Sequence, residues 1–210
     1  MLAVIDYGSG NLKSVSKAFV KAMQDCGYKE QVLVTKNPVD LYLADRIVLP
    51  GVGAFGDCMA GLDGILGMKD AVREAVIIEK KPFLGICVGM QLMADIGLEN
   101  GRHAGLSWID GEVIPLPKAG WKVPHMGWNS VTFTKPHPVF RGIPEKTDFY
   151  FVHSYHFKCR IKGQCLATTE YSAPLCAAVG KDNIVGVQFH PEKSQLQGLR
   201  VLVNFLSWRP

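Results

Sequence analysis

Short apolar runs alternate with longer segments of helical periodicity in the first half of the chain. A run that is apolar at every position is typical of a strand buried on both faces of a sheet. The strands predicted here are residues 2–6, 32–35, 46–49 and 83–86. Helices are predicted over residues 11–26, where Gly27 ends the pattern, and over residues 68–80. Because strands and helices alternate, we predict a parallel sheet covered by helices.

In the second half, strands follow one another through turns, without helices between them. The predicted strands are residues 112–115, 130–133, 149–152, 166–170, 176–179 and 184–188. Residues 181–183 suit a hairpin turn, and residues 194–208 predict a closing helix. We therefore expect a single α/β domain over residues 1–210. Its central, mostly parallel sheet would be flanked by helices, with additional antiparallel strands in the C-terminal half.

Composition and charge narrow the classes of function. The 210 residues are 48% hydrophobic and 20% charged, which suffices for a full globular core. The net charge is +4, but no run of Lys or Arg exceeds two residues, so no nucleic-acid partner is predicted. The apolar run at the N-terminus is too short to span a membrane, and no membrane partner is predicted. Six cysteines without a C-x-x-C pair indicate reduced thiols and a cytoplasmic protein.

Nothing in the sequence predicts a metal ion or a cofactor. His153 and His156 have the spacing of a zinc-binding pair, but no third ligand follows at a suitable distance. Three further histidines are expected at the surface or in loops, namely His103, His125 and His137.

The most informative segment is Gly-Ile-Cys-Val-Gly at residues 85–89. It joins the predicted strand 83–86 to a helix predicted over residues 88–96, so Cys87 lies on the turn between them. This layout is that of a nucleophile elbow, with a thiol in place of the usual serine hydroxyl. The helix N-terminus favours the thiolate, and the N–H of Val88 lies beside the sulfur. We predict that Cys87 is a nucleophile.

A second segment, Gly-Val-Gln-Phe-His-Pro-Glu at residues 186–192, ends the last predicted strand. His190 and Glu192 are two residues apart and share a face in extended backbone. A nucleophilic cysteine needs a base, and the base needs a carboxylate to orient it. Because sites in parallel α/β sheets gather at the carboxyl ends of strands, we expect Cys87, His190 and Glu192 to form a catalytic triad.

A glycine-rich segment, Pro-Gly-Val-Gly-Ala-Phe-Gly at residues 50–56, directly follows the strand 46–49. Such backbone can aim N–H groups at a developing oxyanion, which gives Gly51, Val52 and Gly53 a catalytic role. The segment also matches the dinucleotide-binding fingerprint G-x-G-x-x-G. That interpretation is disfavoured because the fingerprint normally follows the first strand of a dinucleotide-binding fold.

Together these motifs resemble a known family, the class I (triad-type) glutamine amidotransferases. The cysteine segment, extended to Gln91, is similar to the nucleophile motif of that family, and residues 186–192 are similar to its His-x-Glu motif. Further matching segments are residues 5–11, 50–55, 108–111, 124–129, 150–155 and 190–194. Val88 stands where the family more often has leucine, but only its backbone N–H matters. The resemblance covers nearly the whole chain and implies the flavodoxin-like fold of this family.

The resemblance implies that Cys87 attacks the side-chain amide of glutamine. His190 would protonate the departing ammonia and then activate water against the thioester, while Glu192 holds His190. The N–H of Val88 and an N–H from the turn at residues 51–53 would bind the oxyanion, after a peptide flip in that turn. The residues implied to contact glutamine are Gln91, Glu99, His153, Ser154 and Tyr155.

The resemblance sharpens to members that pass ammonia directly to a cyclase subunit in histidine biosynthesis. It implies a heterodimer with a (β/α)8 barrel, because ammonia released into water becomes ammonium and loses its nucleophilicity. This chain lacks a phosphate-binding motif and is shorter than such a barrel, which has about 250 residues. The residues implied to lie near the interface are Asn11, Trp128, Asn129, Tyr150 and Lys193. Trp121 and Trp128 are expected to be exposed, since aromatic residues are enriched at interfaces.

Three alternatives stay open. The same glutaminase chemistry could serve another synthase, in sugar or cofactor biosynthesis, and only the partner would distinguish the two. A catalytically silent interaction subunit could keep the fold, although an intact triad argues against it. A cysteine protease or esterase could share the architecture, but Gln91 and residues 150–155 favour a free amino acid over a peptide.

Overall fold

A nine-stranded sheet forms the centre of the computed structural model, which describes residues 1–117 and 120–210. The strands are β1 (Leu2–Ile5), β2 (Val32–Thr35), β3 (Arg46–Gly51), β4 (Phe83–Cys87), β5 (Ile96–Gly97), β6 (His103–Ala104), β7 (Gly111–Pro115), β8 (His125–Phe133), β9 (Thr147–His153), β10 (Tyr155–Cys159), β11 (Cys165–Tyr171), β12 (Ala173–Lys181) and β13 (Ile184–Val187). The helices are α1 (Leu12–Asp25), α2 (Val39–Leu43), α3 (Phe55–Asp63), α4 (Met68–Arg73), α5 (Val88–Gln91) and α6 (Gln195–Ser207).

The large sheet has a parallel half and an antiparallel half. Its strand order is β2-β1-β3-β4-β13-β12-β11-β8-β9. Neighbours are parallel from β2 to β13 and antiparallel from β13 to β9. The predicted α/β class with a mixed sheet is confirmed. The predicted hairpin is also present, because Lys181 pairs with Ile184 and Asp182 takes a positive φ of 52°.

The sequence pattern does not predict the second sheet, which has four strands in the order β10-β7-β5-β6. Two of them, β5 and β6, have two residues each and are too short to show a period. The pattern also misses β10, which pairs antiparallel with β7. The predicted strand 112–115 therefore lies in this smaller sheet and not in the central one.

The helix predicted over residues 88–96 begins at Val88 as expected, but its predicted length is wrong, because α5 ends after one turn. The N–H groups of residues 106–109 donate to the carbonyls of Leu92, Met93 and Ala94 at 2.8–3.1 Å. Those are the carbonyls that would continue the helix, so long-range pairing overrides the local helical pattern.

Register in the parallel half places the ends of three strands side by side. β3, β4 and β13 are buried at every residue, as expected for parallel strands covered on both faces. Gly51 on β3 pairs with Cys87 on β4, and Ile86 on β4 pairs with Val187 on β13. The segments that follow these strands therefore meet at one edge of the sheet.

Helices cover the sheet. The helix predicted over residues 68–80 is present as α4 followed by a π-helical turn, Glu74–Ile78. α1 and α6 pack together, with the rings of Phe19 and Phe205 centred 6.1 Å apart. Within residues 1–117 and 120–210, no helix has the length and apolar character needed to cross a membrane.

Candidate active site

Cys87 lies on a strained turn between β4 and α5. Its φ of 54° and ψ of −113° belong to a region that residues other than glycine seldom adopt. Neighbouring glycines allow the turn to pack: a Cβ at Gly89 would lie 1.8 Å from Leu49 O, and one at Gly85 would lie 2.6 Å from Gly89 O. Val88 begins α5, so its N–H follows the sulfur directly. Because α5 has a single turn, its dipole contributes less at Cys87 than a full helix would.

His190 and Glu192 follow β13, the strand beside β4. His190 Nδ1 is 2.8 Å from Glu192 Oε1, and both side chains are almost fully buried. Because a carboxylate only accepts, the His190 Nδ1 carries a proton and donates it to this bond. Nε2 is then the ring atom left for the thiol. The N–H of His190 also donates to Tyr150 O at 2.9 Å, which fixes the backbone that carries the ring.

The charge of His190 is set by its two neighbours. Burial lowers the pKa of His190, but the side chains of Cys87 and Glu192 outweigh this effect and raise the pKa to about 9. Nε2 completes no hydrogen bond with any side chain in the described part of the chain. Cys87 is thus near enough to affect the charge of the ring without a formed bond, as is common in enzymes that have no substrate bound.

The turn after β3 lies directly beside Cys87 and is held by two side chains. The N–H of Val52 donates to Ser9 Oγ at 3.1 Å, and the carbonyl of Val52 accepts from Ser9 Oγ at 2.5 Å. The Cys58 thiol also donates to Val52 O at 3.3 Å. Gly53 follows with a φ of +93°. In this conformation the Val52 N–H is occupied and not available to an oxyanion.

A cavity of about 340 Å³ opens over the thiol. It is lined by Val52, Gly53, Cys87, Val88, Gln91, Glu99, Pro124, Val152, His153, Ser154, Tyr155 and His190. Every residue that the family resemblance assigns to glutamine binding lies in this lining. Glu99 also ties the cavity to α3, because its Oε2 accepts from the N–H of Phe55 at 2.8 Å.

Gln91 is oriented by the protein itself. Its Nε2 donates to Tyr155 O at 3.0 Å and to Gln188 Oε1 at 2.9 Å, so both protons of the amide are used. Its Oε1 accepts no hydrogen bond from the residues that the structure describes. An acceptor oxygen on the cavity lining suits the α-ammonium group of an amino acid.

Two buried polar residues near the site were not assigned from the sequence. Gln188 is fully buried and donates to the sulfur of Cys87 at 3.7 Å. His125 was expected at the surface or in a loop, but it is buried on β8, and its Nδ1 is 2.9 Å from Nε2 of His153. The strand was predicted only from residue 130, whereas β8 begins at His125. Extending the alternation back from Val131 would have placed His125 on the buried face.

Three of the residues implied at a partner interface lie together, whereas the side chain of Asn129 lies on the opposite face of β8 and donates to His125. Trp128 and Tyr150 pair across β8 and β9, with ring centroids 6.1 Å apart, and Lys193 Nζ lies 5.7 Å from the centre of the Tyr150 ring. Asn129 is next to Trp128 on the same strand. The predicted exposure of Trp121 and Trp128 is confirmed, at 55% and 48%. Asn11 is the N-cap of α1, and α1 contacts the segment Pro191–Lys193.

Volume alone does not identify the site. A larger hollow, of about 560 Å³, is lined by residues between 133 and 145 and contains none of the predicted site residues. Among residues 1–117 and 120–210, no group of three His, Cys, Asp or Glu side chains could hold a metal ion. His153 instead bonds to His125 and to Tyr155 O, at 2.9 and 2.8 Å.

Comparison with known proteins finds a family and relatives that match nearly the whole length of the chain, and solved structures that share its fold. The family described as "Glutamine amidotransferase class-I" matches residues 3–207. The imidazole glycerol phosphate synthase subunit HisH of Rhodospirillum rubrum is 52% identical, over 100% of this chain and 99% of the relative. The protein of the same name from Brucella suis is 49% identical over the same shares.

Solved structures agree in fold at much lower identity. A glutamine amidotransferase has a TM-score of 0.72 at 16% identity, covering 98% of this chain and 97% of its own. The glutaminase domain of Trypanosoma brucei CTPS has a TM-score of 0.69 at 16% identity, covering 98% of this chain and 92% of its own. A glutamine amidotransferase from Thermotoga maritima has a TM-score of 0.59 at 19% identity, covering 91% and 75%.

Proposed function

Because the chain belongs to the class I glutamine amidotransferase family, we propose that it is the glutaminase subunit of an imidazole glycerol phosphate synthase. In this role it hydrolyses glutamine to glutamate and ammonia. The single observation that carries the proposal is that Cys87 and His190 line one cavity and that His190 is bonded to Glu192. The chain that carries this arrangement is about half identical to subunits of that name.

The first half of the reaction is acylation of Cys87. The thiol proton passes to His190 Nε2, and the thiolate sulfur attacks the side-chain amide carbon of glutamine, whose oxygen becomes an oxyanion. The protonated His190 gives the Nε2 proton to the departing ammonia, while Glu192 keeps the ring oriented. The high pKa of His190, about 9, supports a ring that is charged and ready to act as this acid at neutral pH.

The second half is hydrolysis of the glutamyl thioester. His190, now neutral, removes a proton from water, which attacks the thioester carbon and releases glutamate. The N–H of Val88 stabilises both oxyanions, joined by an N–H from residues 51–53. The turn must rotate for this, since the Val52 N–H donates to Ser9 at rest. Glycine on both sides of Val52 keeps the steric cost of that rotation low.

Ammonia is the product that the pathway uses, and the proposal includes its destination. Residues 1–210 act as one domain and form a cytoplasmic heterodimer with a (β/α)8 barrel cyclase that makes imidazole glycerol phosphate and AICAR. Support comes from the cluster of Trp128, Tyr150 and Lys193 beside the site, where large aromatic surface is left exposed. Six free thiols suit a reducing compartment.

Co-purification followed by a glutaminase assay tests the proposal. We expect the tagged chain to capture a cyclase from a lysate of its source and to hydrolyse glutamine far faster in that complex than alone. Capture of a sugar or cofactor synthase would support the paralogue alternative instead. A complex that forms but releases no glutamate from glutamine would overturn the proposal, because the chain would then be a silent interaction subunit.

A further inference from the structure

One backbone carbonyl, that of Tyr155, joins two chains of polar side chains around the cavity. Gln91 Nε2 donates to it at 3.0 Å, and His153 Nδ1 lies 2.8 Å from it. A carbonyl has two lone pairs and no proton, so both neighbours must be donors. This one acceptor therefore fixes the proton positions along both chains.

The first chain runs from Tyr155 to the catalytic sulfur. Since Gln91 donates to Tyr155 O, its second amide proton goes to Gln188 Oε1 at 2.9 Å. The amide of Gln188 is then oriented with Nε2 toward Cys87 Sγ, at 3.7 Å. Flipping either amide would bring two acceptors or two donors together. Cys87 is thus in contact with an N–H donor whose direction is set through Gln91.

The second chain runs from Tyr155 to strand β8. His153 donates through Nδ1, so its Nε2 accepts from His125 Nδ1 at 2.9 Å. His125 Nε2 in turn accepts from Asn129 Nδ2 at 3.1 Å. Burial lowers the pKa of His125 to about 4 and that of His153 to about 3, so both rings are neutral, as these bonds require.

We infer that Gln188 is a further catalytic residue and His125 a positioning residue for the reaction, an inference that rests on the glutaminase function proposed above. Gln188 touches the reacting sulfur and holds it with an N–H donor. His125 touches neither glutamine nor the sulfur. It holds the ring of His153, and through that ring the segment 153–155 that lines the cavity.

The two residues should have different kinetic signatures. Gln188→Met keeps the length of the side chain but removes the donor to sulfur, so kcat should fall about tenfold, the usual value of one hydrogen bond. The rate at which iodoacetamide alkylates Cys87 should fall by a similar factor. Loss of the His125 donor should instead loosen residues 153–155 and raise the KM for glutamine about tenfold, with kcat changed less than about threefold.

Two replacements of His125 separate positioning from mere packing. In His125→Asn the amide nitrogen is bonded to Cγ, as Nδ1 is, and can still donate to His153. In His125→Gln the amide nitrogen is one bond further out and cannot take that place. Both variants are polar and no larger than histidine, so they differ mainly in where the donor lies. We therefore expect the asparagine variant to keep nearly the parent KM and the glutamine variant to show the full increase in KM.

The experiment measures kcat, KM and Cys87 alkylation in the complex with the partner, with melting temperatures alongside. Matched controls are Gln164→Met, at a buried glutamine bonded to Asp110, and His137→Gln, at a histidine that bonds the Val139 N–H outside the cavity. If the parent complex is active but kcat is unchanged in Gln188→Met and KM is unchanged in His125→Gln, the inference is overturned while the proposed function stands. Equal KM values in the two His125 variants would also overturn the inference. An inactive parent complex would overturn the proposed function instead.

Discussion

The nucleophile turn and the oxyanion turn are neighbours in the sheet, yet they are held in opposite ways. Cys87 is 3% exposed, whereas Val52 is 43% exposed. The nucleophile turn has no room for a single added carbon, because a Cβ at Gly89 would meet Leu49 O at 1.8 Å. In the oxyanion turn, an added Cβ at Gly51, where the turn leaves β3, would meet Tyr7 Oη at 2.6 Å, but one at Gly53, beyond Val52, would meet nothing within 4 Å.

From this contrast we infer different roles for the two turns. The nucleophile turn holds the sulfur in a fixed position, and the oxyanion turn controls when glutamine is hydrolysed. The nucleophile is fixed by strands and glycines that cannot shift without disrupting the sheet. The oxyanion turn is fixed by contacts of Val52 with Ser9 and Cys58, which can be exchanged at little cost. A site built in this way can wait with its nucleophile ready and hydrolyse glutamine only when the turn rotates.

The largest expected effect is that of removing the sulfur. Cys87→Ala should reduce glutamine hydrolysis by more than about a thousandfold, because no other group can form the thioester. The fixed turn should survive this small change, so synthase activity of the complex with added ammonium salts should be retained. Glutamate release and ammonium-dependent turnover are measured side by side, and loss of both would contradict the division of labour between the subunits.

Adding one carbon to each turn compares their rigidity directly. Gly89→Ala should lower the free energy of unfolding by about 3 kcal/mol through overpacking against β3. Gly53→Ala should cost only about 1 kcal/mol, for its positive φ, since the space is open. Urea unfolding of both variants gives the two values. Equal losses would show that the two turns are packed alike.

Proline in the oxyanion turn removes its movable donor. Val52→Pro lacks the N–H at residue 52 and restricts rotation of the backbone, so turnover with the partner should fall about a hundredfold, as for loss of an oxyanion donor. The free energy of unfolding should fall by only about 1 kcal/mol, for the lost bond from the Val52 N–H to Ser9, because the side chain of residue 52 is exposed. Val52→Ala is the control that keeps the N–H. If both variants turned over equally, the N–H of residue 52 would have no catalytic role.

The charged ring beside the fixed nucleophile predicts a dependence of stability on pH. The pKa of His190 is raised from 6.5 to about 9, so the protonated ring stabilises the fold fully below about pH 6.5 and loses this contribution as the pH rises toward 9. Glu192→Gln removes a group that raises this pKa and should flatten the fall in unfolding free energy over that window. Glu112→Gln, which changes a surface pair with Lys158, should leave the slope unaltered. A slope identical in parent and Glu192→Gln would count against the assignment.

The smallest effect is expected where the oxyanion turn is held at rest. Ser9→Ala removes the hydroxyl that both donates to and accepts from Val52. Glutamine hydrolysis by the chain without its partner should then rise by about threefold to tenfold, the value of one released hydrogen bond. Ser16→Ala, at a hydroxyl bonded to Lys13 O on α1, is the matched control. A partner-free rate lower than that of the parent would mean that Ser9 supports the active conformation.

The sequence predicts the nucleophile turn better than the oxyanion turn, because the first depends on neighbouring residues and the second on distant ones. The turn at Cys87 depends on a local pattern, an apolar strand and flanking glycines, which is visible in the seven consecutive residues 83–89. The bond that holds Val52 joins residues 43 positions apart, and the contact between Gln188 and Cys87 spans 101 positions. No periodicity reports such contacts. In the second sheet, β10 was missed for the same reason, since its pairing with β7 is long-range, whereas β5 and β6 are too short to show a period.

The most direct test of the account is to find which residue carries a glutamyl group during turnover. The complex with the partner is mixed with glutamine, quenched with acid in the steady state, digested and mapped by mass spectrometry. We predict one glutamyl group, on the peptide that contains Cys87, and none on the other five cysteine positions. Steady hydrolysis with a glutamyl group on any other residue would contradict the account.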